Sequence, residues 1–484
     1  MDNFYIDDIT WNDLNMDDVL SKIDKASSSV GTEYAKKALK SLLFDEKALK
    51  ARSGRADYFN DNKEEAGRLK KIFASLGRTK KVSFYDYIFR LKEVPDRSNI
   101  VHYILILLLI LSVCLIFIMP ALGIIALVVM ISVNIALYFK MRSAVEGYFL
   151  CLKYLIAMIN AAGAVLKKAP LKNDAFDEIR ADLASSVKEL KDLKRFSWLL
   201  TNSVSGSLTD VIMDYIRMIF HVDLIRFNRM KKKAMGHEAE INRLYNALGE
   251  LELDMSLAAF RGALSYYCLP EFEKTSAVEA RDIYHPLIDG PVSNSINAEK
   301  SVLFTGSNAS GKSTFLKTLA LSQIFAQTLC TCPAHSYKTG FYKVFSSMAL
   351  SDNLLGKESY FVVEIKSLKR IFDGLGDVPV ICFIDEVLRG TNTKERIAAS
   401  SQILKNLSQS NALVFAATHD IELTRILEGC MENLHFSEKI DESEVVFDYK
   451  IKEGPADTRN AIRLLEVYGF DKKITEEALK MCLP

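Results

Sequence analysis

A long stretch without a charged side chain, Ser98–Tyr138, constrains the fold of this chain more than any other feature of its sequence. The stretch is about twice the roughly 20 residues that a helix needs to cross a lipid bilayer. Pro120 and Gly123 lie in its middle and favour a tight turn. We therefore predict two membrane-spanning helices, residues 100–118 and 121–139, joined by a very short loop.

The charges on either side of this stretch predict its orientation. "RLKEVPDR" precedes it and "KMR" follows it, whereas the connecting turn has no positive charge. By the positive-inside rule, both ends face the cytoplasm. The alternative is a buried helical hairpin in a soluble protein, which is disfavoured because buried helices of this length nearly always have a polar face. We expect a two-span protein of the cytoplasmic membrane, with both termini and the C-terminal domain in the cytoplasm.

The composition excludes few classes of function. The 62 lysine and arginine residues nearly balance the 61 aspartate and glutamate residues, so net charge gives no argument for nucleic-acid binding by the whole chain. The 8 cysteines form no CxxC pair, and the 7 histidines lack metal-ligand spacing. This pattern indicates a protein of a reducing compartment, and it does not indicate a zinc site. The acidic N-terminus has no apolar segment, and we do not expect a signal peptide.

Helical periodicity dominates the sequence on both sides of the uncharged stretch. Its clearest instance is the heptad-like series Ile241, Leu244, Leu248, Leu251 and Met255. We predict a helical core in two parts, residues 1–98 and 141–275, separated by the hairpin at 99–140. The basic run "RFNRMKKK" (Arg226–Lys233) is most simply a solvated helix face, but DNA phosphate and anionic lipid remain open as its partners.

Short β-rich apolar runs that end in polar turns characterise the rest of the chain. "SVLFTG", "VPVICFIDE" and "ALVFAATHD" alternate with helical patterns. This alternation is typical of an α/β domain with a largely parallel sheet. We assign that domain to residues 276–484.

The segment "GSNASGKST" fits the phosphate-binding pattern GxxxxGK[ST]. It lies between a predicted strand, Ser301–Thr305, and a predicted helix, which is the context that the pattern requires. Backbone amides of the loop and the helix N-terminus should hold phosphates, Lys312 should reach the β- and γ-phosphates, and Ser313 should bind Mg²⁺. The predicted phosphate-binding residues are Gly306, Ser307, Asn308, Ala309, Ser310, Gly311, Lys312, Ser313 and Thr314.

Two further strand ends supply candidate catalytic groups. "VICFIDE" ends in Asp385, which should hold Mg²⁺, and Glu386, which is placed to act as general base on an attacking water. "AATHD" places His419 at the end of a third strand, where it can face the γ-phosphate. Because ligands of open α/β sheets lie beyond the carboxyl ends of the strands, these groups should share one site with Lys312.

These motifs together resemble the MutS family of DNA mismatch repair ATPases. "FIDEVLRGTNT", "SDNLLGKESYFVVE", "ATHDIELT" and "PVSNSI" resemble family segments, although Leu388 and Tyr360 depart from the family residues. The resemblance implies an ABC-type P-loop ATPase that uses ATP and Mg²⁺ and works as a homodimer. It further implies that Val292 and Asn294 border the adenine and that Ser359 contacts the γ-phosphate bound by the other subunit.

The resemblance carries DNA binding over less directly than ATP hydrolysis. The sequence shows no mismatch-reading domain with its Phe-x-Glu wedge, and the hydrophobic hairpin interrupts the helical core. The leading hypothesis is a membrane-anchored ATPase that couples ATP to DNA binding, with mismatched DNA implied by the resemblance alone. The alternatives are an ATP-driven membrane scaffold or defence factor with a protein partner and, less favoured because two spans are too few for a transport pathway, an ABC transporter subunit.

Overall fold

A computed structural model describes residues 4–79, 83–94, 98–194, 208–274, 276–307, 310–348, 360–389, 391–440, 445–456 and 469–482. The chain forms two compact units. The sheet unit comprises residues 1–23, 36–57 and 257–484, and the helical unit comprises residues 24–35 and 58–256. A helical N-terminal region and an α/β C-terminal region therefore agree with the fold class expected from the sequence.

The strands and helices are numbered in chain order. The described strands are β1 Phe4–Tyr5, β2 Ser41–Leu42, β3 Glu271–Phe272, β4 Val278–Ile283, β5 Asn294–Ala298, β6 Val302–Thr305, β7 Ser336–Thr339, β8 Lys343–Ser347, β9 Val380–Asp385, β10 Ala412–Ala417, β11 Glu432–Ile440 and β12 Val445–Glu453. The described α-helices are α1 Asp8–Asp13, α2 Met16–Ile23, α3 Ser29–Lys40, α4 Glu46–Asp61, α5 Lys63–Leu76, α6 Phe84–Phe89, α7 Ile100–Ile118, α8 Pro120–Ser143, α9 Glu146–Lys168, α10 Asp177–Glu189, α11 Lys191–Lys194, α12 Leu208–Ile219, α13 Val222–Met235, α14 Glu238–Ala263, α15 Lys312–Leu329, α16 Tyr360–Asp373, α17 Thr393–Ser408, α18 Ile421–Ile426 and α19 Lys472–Cys482.

The main sheet of the sheet unit has the strand order β12-β11-β6-β10-β9-β8. All its neighbouring strands are parallel except β11 and β12, which pair antiparallel. Every residue of β9 is buried, as expected for a strand covered on both faces. The rings of Phe304, Phe415 and Phe383 stack across three adjacent strands in the core. A smaller sheet has the order β3-β7-β4-β5.

The first helix of the chain covers the edge strand β8 of this sheet. The buried Asp13 carboxylate accepts hydrogen bonds from Ser346 Oγ at 2.7 Å and Met348 N at 3.0 Å. Ser346 N donates to Thr10 Oγ1 at 3.1 Å. An uncovered edge strand presents unpaired backbone groups, and α1 satisfies part of this edge. Residues 1–23, which the sequence analysis assigned to the helical core, therefore belong to the sheet unit.

Residues 36–57 also belong to the sheet unit, and the buried guanidinium of Arg261 explains why. It donates to Asp57 Oδ1 at 2.7 Å, Ser53 Oγ at 2.9 Å and Cys330 O at 3.0 Å. A buried arginine is stable only when its donors are satisfied, so this cluster binds α4 to the ends of α14 and α15. The division of the chain thus differs from the predicted boundaries at residues 98 and 276.

In the helical unit, the heptad-like series on α14 faces the interior. Ile241, Leu244, Leu248 and Leu251 are buried, and Met255 is half-buried. Glu252, also buried, accepts a hydrogen bond from Ser27 N at 2.7 Å and another from the Ser28 hydroxyl. The spacing seen in the sequence therefore marks a packed helix face.

The uncharged stretch forms the helical hairpin α7–α8. Met119 alone separates the two helices, and Pro120 opens α8, where its missing N–H costs no hydrogen bond. At Gly123 a Cβ atom would lie 2.4 Å from Ile116 N, so a glycine is required for the helices to approach here. The first helix has the predicted bounds, whereas α8 continues beyond residue 139 to Ser143.

Most of the hairpin surface is apolar and exposed. The most apolar 18-residue window is 17% buried in α7 and 17% buried in the continuous helical stretch Pro120–Lys168. The exposed large side chains include Leu107, Leu111, Phe117, Ile125 and Val128. Exposed apolar surface of this extent marks an interaction surface.

Candidate functional site

Three neighbouring parallel strands bring the predicted motifs to one edge of the main sheet. In the register, Ala417 of β10 pairs with Phe304 of β6 on one side and with Asp385 of β9 on the other. The segments that follow these strand ends carry the glycine-rich loop, Glu386 and His419. The expectation that they share one site follows from this strand order.

The loop after β6 has two positions at which the backbone conformation favours glycine. Gly306 has a φ of 142° and Gly311 a φ of 109°, both in the region that disfavours side chains. A Cβ atom at Gly306 would lie 2.5 Å from Phe436 O and 3.0 Å from Ser310 Oγ. Ser310 Oγ is buried and has no hydrogen-bond partner among the described residues. Asn308 and Ala309, also predicted for this loop, lie outside those residues.

Lys312 begins α15 and turns back onto the loop. Its Nζ donates to Gly306 O at 2.9 Å and to Ser307 O at 2.8 Å. Burial lowers the pKa of Lys312 to about 8, although the carboxylates of Asp385, Glu386 and Glu438 oppose the shift. A phosphate group would place further negative charge beside this buried ammonium.

Glu386, just after β9, is held by two basic side chains. His419 Nε2 lies 2.7 Å from Glu386 Oε1, and Arg389 Nε forms an ion pair with Oε2. Burial raises the pKa of Glu386, but the hydrogen bond and charge of His419, together with Arg389, outweigh it and lower the pKa below its usual value. The carboxylate is therefore ionised at neutral pH.

Asp385 and Ser313, the predicted Mg²⁺ ligands, are a buried strand-end carboxylate and an exposed hydroxyl on the first turn of α15. Ser313 lines the cleft, whereas Asp385 is not a lining residue but acts electrostatically on the lining residue Lys312. Among the described residues, no group of three or more His, Cys, Asp or Glu could hold a metal. This donor set fits an ion that takes one or two protein oxygens and completes its shell with phosphate and water, as Mg²⁺ does.

These residues line a cleft of about 510 Å³, a size suited to a small-molecule ligand. Its floor includes Gly311, Lys312 and Glu386, and its walls include Val292 and Asn294. Val292 is exposed, and its contact with a ligand stays a prediction. The lining also includes Ser310, Ser313 and Thr314 of the predicted loop.

The side-chain amide of Asn294 forms hydrogen bonds to backbone groups of the protein. Its Nδ2 donates to Tyr449 O and its Oδ1 accepts from Ile451 N, both at 2.9 Å. The amide thus connects β5 to β12 and shapes the cleft wall through that connection. The predicted contact with a base would be made by the remaining surface of this side chain.

The cleft residues that the sequence analysis did not predict include His285, Phe436 and Tyr449. Burial, aided by the charge of Lys317, lowers the pKa of His285 to about 4, so this imidazole is neutral at pH 7. Phe436 and Tyr449 reach the cleft because β11 pairs with β6 and β12 with β11. The alternating pattern of these strands gives no local sign of that pairing.

Ser359 lies outside the described residues, and α16 begins directly after it. Within α16, the buried Glu364 accepts a hydrogen bond from Leu388 N. That bond connects the helix to the segment that carries Glu386 and Arg389.

Comparisons with known proteins agree on one family. Residues 302–483 match the family model described as MutS domain V. The chain is 28% identical to the DNA mismatch repair protein MutS of Lactobacillus delbrueckii subsp. bulgaricus over 53% of this chain and 31% of that protein. It is 28% identical to MutS of Leptospira interrogans over 56% of this chain and 33% of that protein. It is 27% identical to MutS of Thermus thermophilus over 52% of this chain and 31% of that protein. The chain thus aligns with about a third of each relative, and these similarities support a relationship to the MutS family.

The depressed pKa of Lys312 predicts how ligand binding depends on pH. A protonated ammonium is needed to neutralise phosphate, and the neutral fraction grows as pH rises through about 8. The affinity for a non-hydrolysable ATP analogue should therefore fall between pH 7 and pH 9, approaching roughly tenfold per unit once Lys312 is mostly neutral. Fluorescence anisotropy across this pH range would measure it.

The control for this prediction is Lys312→Arg, whose guanidinium stays charged throughout the range. Its affinity should be nearly constant with pH, whatever its absolute value. An equal decline for the wild-type protein and the arginine variant would contradict a role for the Lys312 proton.

Proposed function

We propose that this protein binds and hydrolyses ATP in the cleft at the carboxyl edge of the main sheet. The observation that carries the proposal is the meeting of Lys312, Glu386 and His419 beyond three adjacent parallel strands. The match of residues 302–483 to MutS domain V gives independent support. A buried lysine and an ionised carboxylate in one cleft are typical of a functional site.

The glycine-rich loop and the start of α15 would hold the phosphates. Backbone amides at a helix N-terminus favour anions, and the close approach at Gly306 leaves no room for a side chain. The buried hydroxyl of Ser310 would gain a hydrogen-bond acceptor. Lys312 would exchange two loop carbonyls for phosphate oxygens at little cost in desolvation, because it is already buried.

Ser313 and Asp385 would hold Mg²⁺ together with the phosphates. The ion would supply charge neutralisation at the transferring phosphoryl group. Glu386 would accept a proton from the attacking water. His419, hydrogen-bonded to the same carboxylate, would orient it and face the γ-phosphate. Because Arg389 also pairs with Glu386, a productive complex must reduce the hold of these two basic groups on the carboxylate.

Removing the proposed base should separate turnover from binding. Glu386→Gln keeps the shape of the side chain but cannot accept the proton, so kcat should fall roughly 10²- to 10⁴-fold while ATP affinity persists. Lys312→Ala should lose ATP binding itself. Phosphate release and nucleotide binding, measured on the purified full chain, would test both. The exposed Glu428→Gln is the matched control and should behave as wild type.

The same variant tests the proposed homodimer. Ser359, as the family resemblance implies, would contact the γ-phosphate held by the other subunit, so ATP should drive association. ATP-loaded Glu386→Gln should be dimeric by light scattering, and adding Ser359→Ala should return it to monomer. Unchanged turnover in Glu386→Gln would contradict the base, and a dimer insensitive to Ser359→Ala would contradict the contact in trans.

The proposal includes anchoring of the ATPase to the membrane by the α7–α8 hairpin, with both ends in the cytoplasm. Its support is the exposed apolar surface of both helices and the basic residues in the last turn of the second, Lys140 and Arg142. Water would solvate this surface poorly, whereas acyl chains match it.

Arginine substitutions on the hairpin surface distinguish lipid from water as its surroundings. Leu107 and Val128 are exposed, so Leu107→Arg/Val128→Arg would make no clash in water but would cost roughly 2.5–3.5 kcal/mol per residue at the centre of a membrane helix. Wild type should stay with membranes after alkaline carbonate extraction, and the double variant should be released.

The control for the extraction experiment is Ile426→Arg, at an exposed apolar position of the sheet unit. It should leave the distribution unchanged. Recovery of the wild-type protein in the soluble fraction without detergent would show that the hairpin does not anchor the chain.

A coupling of ATP to DNA binding is proposed from the relatives, which are named as DNA mismatch repair proteins. Phosphate contacts would make the affinity for duplex DNA fall steeply with salt, with a slope of about −0.9 per contact on logarithmic axes. Binding of matched and mismatched duplexes should be measured at several salt concentrations, with and without ATP. No binding at low salt would favour the alternative, an ATP-driven membrane scaffold or defence factor with a protein partner.

A further inference from the structure

Helix α12 exposes an apolar face that no described part of the helical unit covers. Val211, Ile212, Tyr215 and Ile216 are exposed by 39–55%. They lie on one side of the helix, whereas Arg217 and its ion-pair partner Asp214 lie on the other. A short helix with this division is typical of one lying at an interface between water and an apolar phase.

The position of α12 identifies that phase. Within the helical unit α12 packs against α8, the second helix of the hairpin. The exposed apolar side chains of α8 include Val128, Val133 and Phe139. The apolar face of α12 therefore belongs to a helix packed on the hairpin for which we propose lipid contact, and this inference rests on that proposal.

Helix α13 lies at the level where the uncharged stretch begins. Asn228 Nδ2 donates to Asn99 Oδ1 at 2.9 Å, and Asn99 Nδ2 donates to Ile225 O at 3.3 Å. Arg229 Nη2 donates to Tyr103 OH at 2.9 Å. Because Tyr103 lies about 4.5 Å along the axis of α7 from its first residue, Arg229 lies at the depth of lipid headgroups.

The helices around this level carry an excess of positive charge. Helices α7, α8, α12 and α13 together have eight lysine and arginine residues and three aspartates, counted along their sequences. Burial lowers the pKa of Arg226, and the nearby charges of Arg229 and Arg217 lower it further against the opposing effect of Asp223. Arg229 and Arg217 thus both repel Arg226, and these three residues are the arginine cluster.

Anionic headgroups would relieve that repulsion. The basic run that includes Arg226 and Arg229 is also compatible with DNA phosphate, but its packing against the first turn of α7 places these arginines beside the membrane surface. Clusters of basic residues next to a membrane helix bind anionic lipids, at about 1 kcal/mol or roughly fivefold in affinity per residue.

We propose that α12 lies in the inner-leaflet interface and that the arginine cluster, Arg217, Arg226 and Arg229, binds anionic phospholipid headgroups beside it. The membrane contact of this protein then has three parts: two spanning helices, one interfacial helix and a basic headgroup site.

Tryptophan quenching by nitroxide lipids in nanodiscs tests the inference on the full chain. In a Trp11→Phe/Trp198→Phe background, Ile212→Trp reports on α12, and Leu107→Trp reports independently on the hairpin. Ile212→Trp should be quenched by a shallow nitroxide more strongly in nanodiscs containing phosphatidylglycerol than in phosphatidylcholine alone. Leu107→Trp should be quenched by a deep nitroxide in both.

Charge variants test the headgroup site. Arg217→Gln/Arg229→Gln should weaken the response of Ile212→Trp to phosphatidylglycerol, roughly fivefold in affinity per arginine removed. The matched control Lys172→Gln/Lys188→Gln removes two exposed charges of the same unit and should leave the response unchanged.

The outcomes separate this inference from the proposed anchoring. Quenching at 107 without quenching at 212 would overturn the interfacial position of α12 and leave the anchor intact. Equal quenching at 212 in both lipids, unaffected by Arg217→Gln/Arg229→Gln, would overturn the headgroup site. A blue-shifted but unquenched Ile212→Trp would assign the face to a second copy and also overturn the inference. No quenching at 107 would overturn the anchor itself.

Discussion

The parallel pairing of β6, β10 and β9 is the constraint on which the candidate site depends. Parallel strands deliver their carboxyl ends to one edge, so Lys312, Glu386 and His419 meet although the chain separates them widely. Without a ligand, their polar groups pair with the protein: Lys312 with loop carbonyls, and Glu386 with His419 and Arg389. The triphosphate that we propose as ligand would have to replace these contacts with its own, which favours binding only where several exchanges occur together.

Local patterns predicted the centre of this site because its residues follow short apolar strands directly. The strand before the loop and the strand before Glu386 were both recognisable as continuous apolar runs. The cleft walls were harder to predict, since Tyr449 and Phe436 arrive through pairing between distant strands. For the same reason the sequence did not reveal that Asn294 is hydrogen-bonded to the backbone of β12 or that α1 covers the edge of β8.

The two apolar surfaces of the helical unit differ in how much the sequence alone can say about them. The hairpin could be predicted because a long run without charge has no polar face with which to meet water. Helix α12 could not, because an apolar face opposite charged residues is the ordinary pattern of a surface helix. Its packing against α8 distinguishes α12 from other surface helices. In the same way, the hydrogen bond to Tyr103 distinguishes Arg229 from the other cations of the basic run.

A hairpin anchor has a consequence for the proposed ATP-dependent dimer. Both ends of a hairpin lie on the same side of the membrane, so every anchored copy would present its cleft to the same compartment. Confinement to one surface raises the effective concentration of copies for one another, as a short linker does for two tethered modules. Each γ-phosphate contact in trans would then need to contribute less free energy to association than in a freely diffusing protein. A weak, ATP-controlled interface is sufficient under that condition, and a weak interface is also the one that hydrolysis can reverse.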